Sequence, residues 1–384
     1  MVAAQPAVSS TRLDFIDNLR SMTIIFVVTM HAAVTYSNFG RWYVLEPAPT
    51  GRLTLLSFGM YQSFLQAWFM GFLFLLAGYF VPASFDRKGS ARFIADRAFR
   101  LGIPTLIYVL CVQPFIVWIL MPAFRGTPLD KFGTHWLHYI TSFSFLEGTG
   151  PMWFAVALLI FSLAYAAFRM ASRRRSAPPM PSDLSIVMLI LAISLCTFLM
   201  RTMQPLGTAV LNMQLGYFSQ YIILFLVGIL ARRGDWLMRI PYAFGMRWFR
   251  ISWLVGVPLW LAVVIGGGAL AGADLALFNG GWHWQSAAIS FWESLVCVGT
   301  CVGLVVLFRE RFNTRGTAAR FLSDNAFAVY VFHPPVLIAI TMALHGMEVS
   351  AVVCFLVASI LAIAASFLAS HFIFRRIPLL KNAL

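Results

Sequence analysis

Apolar runs long enough to cross a bilayer recur along the whole chain, separated by short polar or basic connections. A helix needs about 20 mostly apolar residues to span a hydrocarbon core about 30 Å thick. Ten such segments are expected, at residues 20–38, 55–80, 101–121, 151–168, 184–200, 215–231, 250–270, 287–308, 321–343 and 351–374. The second carries Gly71 and Gly78, small enough for close helix contact or a kink. Residues 122–150 are too polar to cross. Their H-W-L-H stretch, His135 to His138, reads as an aromatic interfacial helix with Trp136 and Tyr139 rather than a metal site, because no carboxylate or thiol is suitably spaced. The pattern predicts an all-α integral membrane protein, a bundle of about ten transmembrane helices without an internal repeat. Residues 1–11 are expected to be a disordered tail and 12–384 a single transmembrane domain.

Composition agrees with the pattern: 60% of residues are hydrophobic and 11% charged, against about 25% charged in a typical soluble domain. A net charge of +14 could suggest nucleic acid, but the positions of the basic residues decide otherwise. With ten crossings both termini share a side, and that side receives 23 of the 28 Lys and Arg residues, leaving Arg41, Arg52, Arg125, Lys131 and Arg201 opposite. This is the charge asymmetry of a membrane topology with both termini cytoplasmic. The expected partner is therefore the lipid bilayer and not nucleic acid. The five cysteines all fall in apolar spans and read as small core residues, with no disulfide framework and no metal site. The start of the chain lacks a basic region, apolar run and cleavage site ahead of the first span, so no removable signal peptide is expected.

Few ionisable residues fall inside the spans. Ten uncharged residues, Ser21 to Met30, separate Arg20 from His31, which sets the imidazole roughly 16 Å beyond the arginine and near mid-membrane. Glu293 enters the eighth span from the outer side by about 9 Å, and His333 enters the ninth from the cytoplasmic side by about 18 Å. His31, Glu293 and His333 thus lie at compatible depths, and buried ionisable groups in a membrane usually face a bundle interior or wet cavity. An imidazole there can take or give a proton near neutral pH. The plainer alternatives are a buried histidine bonded to a neighbouring helix for His31, and for His333 a donor to carbonyls freed by Pro334 and Pro335. Glu293 is expected to pair with a histidine, since no lysine or arginine is assigned to its depth. On the cytoplasmic side Arg92, Arg97 and Arg100 precede the third span, the last two spaced to share a helix face. Forked guanidinium donors suit phosphates, although positive-inside anchoring explains them equally well.

Several of these stretches resemble the family-3 membrane acyltransferases. The first span is similar in its R-L-D-F-I-D-N-L-R start and its arginine-to-histidine spacing of ten. In order along the chain follow F-L-L-A-G-Y-F-V-P, the Arg97–Arg100 pair before L-G-I-P, P-M-W-F from Pro151 to Phe154, and S-D-N-A-F-A-V-Y-V-F-H-P in the ninth span. Trp292-Glu293-Ser294 and the terminal R-I-P-L-L-K look most similar to the glucan biosynthesis protein C branch, associated with succinylation of periplasmic glucans.

The resemblance implies an acyl-CoA-dependent O-acyltransferase of the bacterial inner membrane. It would move an acetyl or succinyl group from acetyl-CoA or succinyl-CoA to a hydroxyl of a carbohydrate or glycolipid, without a metal. By the same resemblance His31 is the essential residue, as base or acyl carrier, and Arg20 its partner at the cytoplasmic end. Arg97 and Arg100, with Arg92, would engage the donor. Glu293 would orient or charge-balance the histidine, and His333, Trp153 and Tyr330 are expected to contact substrate. Many relatives add a periplasmic hydrolase-like domain that these residues do not contain, so a partner protein on the periplasmic side is expected. The rival reading is a proton-coupled transporter or flippase with His31, Glu293 and His333 as its relay.

Overall fold

The computed structural model describes residues 13–126, 132–172, 177–377 and 380. The expected tail at 1–11, Arg12, Lys131, the arginines at 173–175 and half of the R-I-P-L-L-K stretch lie outside the described residues. Among those described, ten helices are long and apolar enough to cross a membrane. They are α1 (Asp14–Ser37), α2 (Arg52–Lys88), α3 (Ser90–Arg125), α4 (Gly150–Ala171), α5 (Asp183–Met203), α6 (Leu215–Gly234), α7 (Tyr242–Ala271), α8 (Trp284–Arg311), α9 (Thr317–Leu344) and α10 (Ala351–Arg376). The chain is a multi-pass helical membrane protein. The main departure from expectation is at α2 and α3, whose helices run on through the basic stretch between them. Gly89, at φ 73°, forms a one-residue corner, and Lys88 reaches across it to Asp96 at 2.7 Å. Hydropathy registers only the apolar part of such a hairpin.

α3 is not a uniform α-helix. Three π turns, Ala98–Gly102, Tyr108–Val112 and Ile116–Leu120, interrupt it, and each precedes a proline at 104, 114 or 122. A proline lacks the N–H for the carbonyl four residues back, and its ring crowds that carbonyl. The carbonyls concerned belong to Arg100, Leu110 and Trp118, one inside each π turn, so widening the turn relieves the clash. One of the freed acceptors is reused: the indole Nε1 of Trp136 donates to the Leu110 carbonyl at 2.9 Å. That bond fixes the short helix Phe132–Thr141, which contains the H-W-L-H stretch expected to form an interfacial helix, against α3.

Burial is uneven among the spans. In α2 and α8, 83% and 78% of the most apolar stretch is buried, against 22% in α5 and α7. α2, α8 and α9 carry the buried Gln62, Glu293, Asn325 and His333. The outer helices present Leu184, Leu254 and Ile360 to the surroundings, as lipid-facing residues would. The tightest crossing joins α2 and α6. A Cβ on Gly78 would stand 2.2 Å from the Phe225 carbonyl, and one on Gly228 would stand 2.1 Å from the Leu75 carbonyl. The two backbones therefore meet through reciprocal glycines, and Gly78 serves the close contact its size allowed. Replacing Gly228 with valine should push α2 and α6 apart and cost about 1–3 kcal/mol or more, seen as a lower thermal midpoint in detergent. Gly133→Ala, which meets nothing within 4 Å, is the control; equal midpoints for the two variants would contradict this packing.

Candidate active site

α1 and α9 cross so that their histidines meet. Nδ1 of His31 lies 2.9 Å from Nε2 of His333, with the rings nearly parallel at 13°. His333 is fully buried. Its other nitrogen, Nδ1, lies 2.9 Å from the Tyr330 carbonyl and 3.2 Å from that of Val329. Pro334, lacking an N–H, cannot serve the Tyr330 carbonyl four residues back, so the imidazole serves it. The expected partnership with a carbonyl freed by Pro334 is thus found at Nδ1, while Nε2 meets His31.

A third ring completes the stack. Trp42 lies 3.9 Å from His31, at 15° to it, although it belongs to the connection after α1 rather than to a span. The chain reverses at Asn38, in the left-handed region at φ 60°, and folds back over the bundle. Three contacts hold it there: Glu46 N–H to the Thr35 carbonyl at 2.9 Å, Asn38 Nδ2 to the Glu46 carbonyl at 2.7 Å, and the Glu46 carboxylate with His345 at 3.0 Å.

His31 and Trp42 line a cavity of about 1270 Å³. Its walls include the late half of α1 (Val27 to Val34), the early half of α2 (Leu55 to Met70), parts of α3, α6 and α7, the start of α8 (Ile289 to Glu293) and the connections on the face opposite the termini, with Tyr330 from α9. It therefore opens on that opposite face and ends near mid-bundle, where His31 stands. Its volume exceeds the roughly 300–1,000 Å³ of common small-ligand pockets. Trp153 and Tyr330 both line it. The Tyr330 hydroxyl is spent on the Pro151 carbonyl, which docks the P-M-W-F turn onto α9. Trp153 stacks on Tyr221 at 5.7 Å. His333 is not in the wall and can influence a substrate only through His31.

Glu293 is the clearest correction. Its partner is not a histidine but Arg201, whose Nη2 lies 2.5 Å from Oε2, and the arginine is fully buried. Arg201 was counted on the side opposite the termini because it falls just past the fifth expected span, but its long stem turns inward. There its Nε donates to the Gly216 carbonyl at 3.2 Å and its Nη1 to Ser290 at 3.3 Å, and its guanidinium packs 5.2 Å from the Tyr217 ring. A relay through all three expected residues is therefore not assembled: His31 and His333 touch, while Glu293 is held by Arg201. Two buried polar atoms at the cavity residues lack hydrogen-bond partners, Trp42 Nε1 and Glu293 Oε1, and such atoms call for an explanation such as a bound group.

The basic cluster lies on the other face. Arg20 packs over Phe80 at 4.5 Å and pairs with Asp17 at 3.4 Å. Arg97 lies over Phe93 at 5.3 Å, its Nε buried without a partner, close enough to Arg20 and Arg100 to be repelled by both. Arg100 is exposed and pairs with Asp96 at 3.2 Å, and Arg92 is also exposed. None of the four lines the cavity. Expectation brought Arg97 and Arg100 together as one fork, yet they sit in different surroundings.

A bundle of ten spans with a histidine pair at the end of a large cavity, and a cluster of arginines on the opposite face, defines a membrane-embedded site suited to proton transfer or group transfer. The family model described as "Acyltransferase domain" matches residues 13–371, and the chain belongs to that family, the family-3 acyltransferases. Curated relatives named Glucans biosynthesis protein C, from Salmonella paratyphi B, Salmonella schwarzengrund and Salmonella enteritidis PT4, are each 26% identical over 200 residues. The similarity covers 48% of this chain and 47% of each relative, so it spans about half the length of the curated relatives. No solved structure matches.

Proposed function

We propose that this protein transfers an acetyl or succinyl group from acyl-CoA to a hydroxyl of a periplasmic or lipid-linked glycan, in the bacterial inner membrane. The observation that carries this reading is the His31–His333 pair at the end of the cavity. Family membership supports acyl transfer, and the name of the matched relatives supports a glucan-like acceptor. The donor binds at the basic face, held cytoplasmic by the charge asymmetry, where Arg97, Arg100 and Arg20 receive its phosphates. Helical rise separates Arg20 from His31 by roughly 16 Å, a distance an extended pantetheine arm can cross to bring the thioester to the imidazole. The acceptor enters the cavity from the opposite face, and its unpartnered Trp42 Nε1 and Glu293 Oε1 are groups that a sugar can satisfy. His31 then serves as base toward the acceptor hydroxyl or as a transient carrier of the acyl group.

The donor assignment has its own test. Replacing Arg97 and Arg100 together with alanine removes two charge-assisted contacts worth about 1.5–3 kcal/mol each. The KM for acyl-CoA should rise by about 10-fold or more, with the acceptor KM unchanged. An unaltered donor KM in a well-inserted double variant would reject the phosphate role.

A further inference from the structure

Four atoms in line restrict where the protons of the histidine pair can be. His333 Nδ1 faces two carbonyl oxygens, at 2.9 Å and 3.2 Å, and a carbonyl can only accept. A bare Nδ1 lone pair there would oppose both oxygens in a fully buried site. It would also leave the Tyr330 carbonyl, deprived of its helix donor by Pro334, unpaired. His333 Nδ1 therefore carries the hydrogen, and in the neutral ring Nε2 is the acceptor. The atom 2.9 Å from that acceptor is His31 Nδ1, which must donate. One nitrogen of His31 is then left with a lone pair: Nε2, on the ring that lines the cavity.

We propose that His333 is a positioning residue that holds His31 as the Nδ1-protonated tautomer, making Nε2 the atom that takes the acceptor's proton. This deepens the acyl-transfer reading and, for its catalytic consequence, rests on it. As the acceptor O–H gives its proton to Nε2, the oxygen's electron pair forms the bond to the thioester carbonyl carbon. When the adduct collapses, the carbon–sulfur bond breaks and Nε2–H returns the proton to the departing thiolate of coenzyme A. Through both steps the chain from His31 Nδ1–H to His333 and on to the Tyr330 carbonyl stays intact. It places an acceptor and two carbonyl dipoles behind the ring, where they favour the imidazolium formed in between. The role is the one a carboxylate fills in other histidine bases, here supplied without a charge. Trp42, stacked on His31 at 3.9 Å, fixes the plane in which this geometry holds.

The test reads the tautomer and the rate separately. In protein with 15N-labelled histidine, reconstituted in detergent, the His31 signals, assigned by their absence in His31→Ala, should show a protonated Nδ1 and a bare Nε2. The reverse pattern in the intact protein overturns the proposal whatever the activity. His333→Leu should lose that fixed pattern and lower kcat at least about 10-fold with both KM values unchanged. His333→Gln, whose amide offers one donor for the Tyr330 carbonyl and one acceptor for His31, should recover much of the loss. If Leu and Gln lower kcat equally while both variants remain inserted, His333 is not positioning the ring. If the wild-type pattern is as stated but no acyl transfer is detected, the functional reading fails and the tautomer assignment stands.

Discussion

Alanine in place of His31 is expected to lower turnover by about 10²- to 10⁴-fold, the usual contribution of a positioned general base, while the protein still inserts and folds. The effect follows from where the ring stands. It faces the cavity while His333 holds its Nδ1 and Trp42 covers one face, so no other histidine can take its place at that surface. Structural loss is expected to be much smaller. The substitution leaves His333 Nε2 without its partner, an unmade hydrogen bond costing about 1–3 kcal/mol, and the helix around residue 31 is otherwise held by apolar packing. Measurement of labelled acyl transfer beside a thermal midpoint separates the two effects. Transfer within a factor of two of wild type would remove His31 from the chemistry.

The second large effect is on stability. Arg201→Ala leaves the Glu293 carboxylate buried with no counter-ion, and breaking such a pair from one side costs about 3–5 kcal/mol. The loss should be felt along the cavity wall, because Arg201 also holds the Gly216 carbonyl and Ser290. Its own carbonyl accepts from Gly281 N–H at 3.3 Å, and nearby Leu206 N–H donates to the Asn279 carbonyl at 2.8 Å. Arg201 thereby joins α5, the start of α6 and the start of α8. Removing both charges, as Arg201→Met with Glu293→Leu, should be milder than Arg201→Ala alone, since no unpaired charge is left. Thermal midpoints in detergent decide it. A single variant as stable as wild type would mean that the carboxylate is already neutral and the pair contributes little.

What was legible in the sequence was whatever depends on distance along one helix. The depths of His31, Glu293 and His333 follow from helical rise, and the ten spans from the length of apolar runs. Two of the three residues do meet. What was not legible depends on which way a long side chain turns or how a connection folds. Arg201 is correctly placed at the far end of α5, yet its inward turn is set by Glu293, Ser290 and the Gly216 carbonyl, all distant in sequence. The signal available was a lone arginine in the last turn of a largely apolar helix. Trp42 reaches His31 only because the loop after α1 is pinned at Thr35, Asn38 and His345, and no periodicity marks that. The interruptions of α3 stand in between. Prolines 104, 114 and 122 are plain in the sequence, and the carbonyls four residues before them name the turns that must widen.

In the proposed reaction a donor at the basic face and an acceptor in the cavity meet at His31 across the bundle. The most direct test uses vesicles containing the protein in one orientation, with labelled acetyl- or succinyl-CoA on one side and a glucan acceptor on the other. Label should reach the glucan when the donor faces the side bearing Arg97 and Arg100, and the acceptor faces the cavity mouth. It should not do so with the two exchanged, nor with His31→Ala. Transfer with donor and acceptor exchanged, or equal transfer by the His31→Ala protein, would contradict the account.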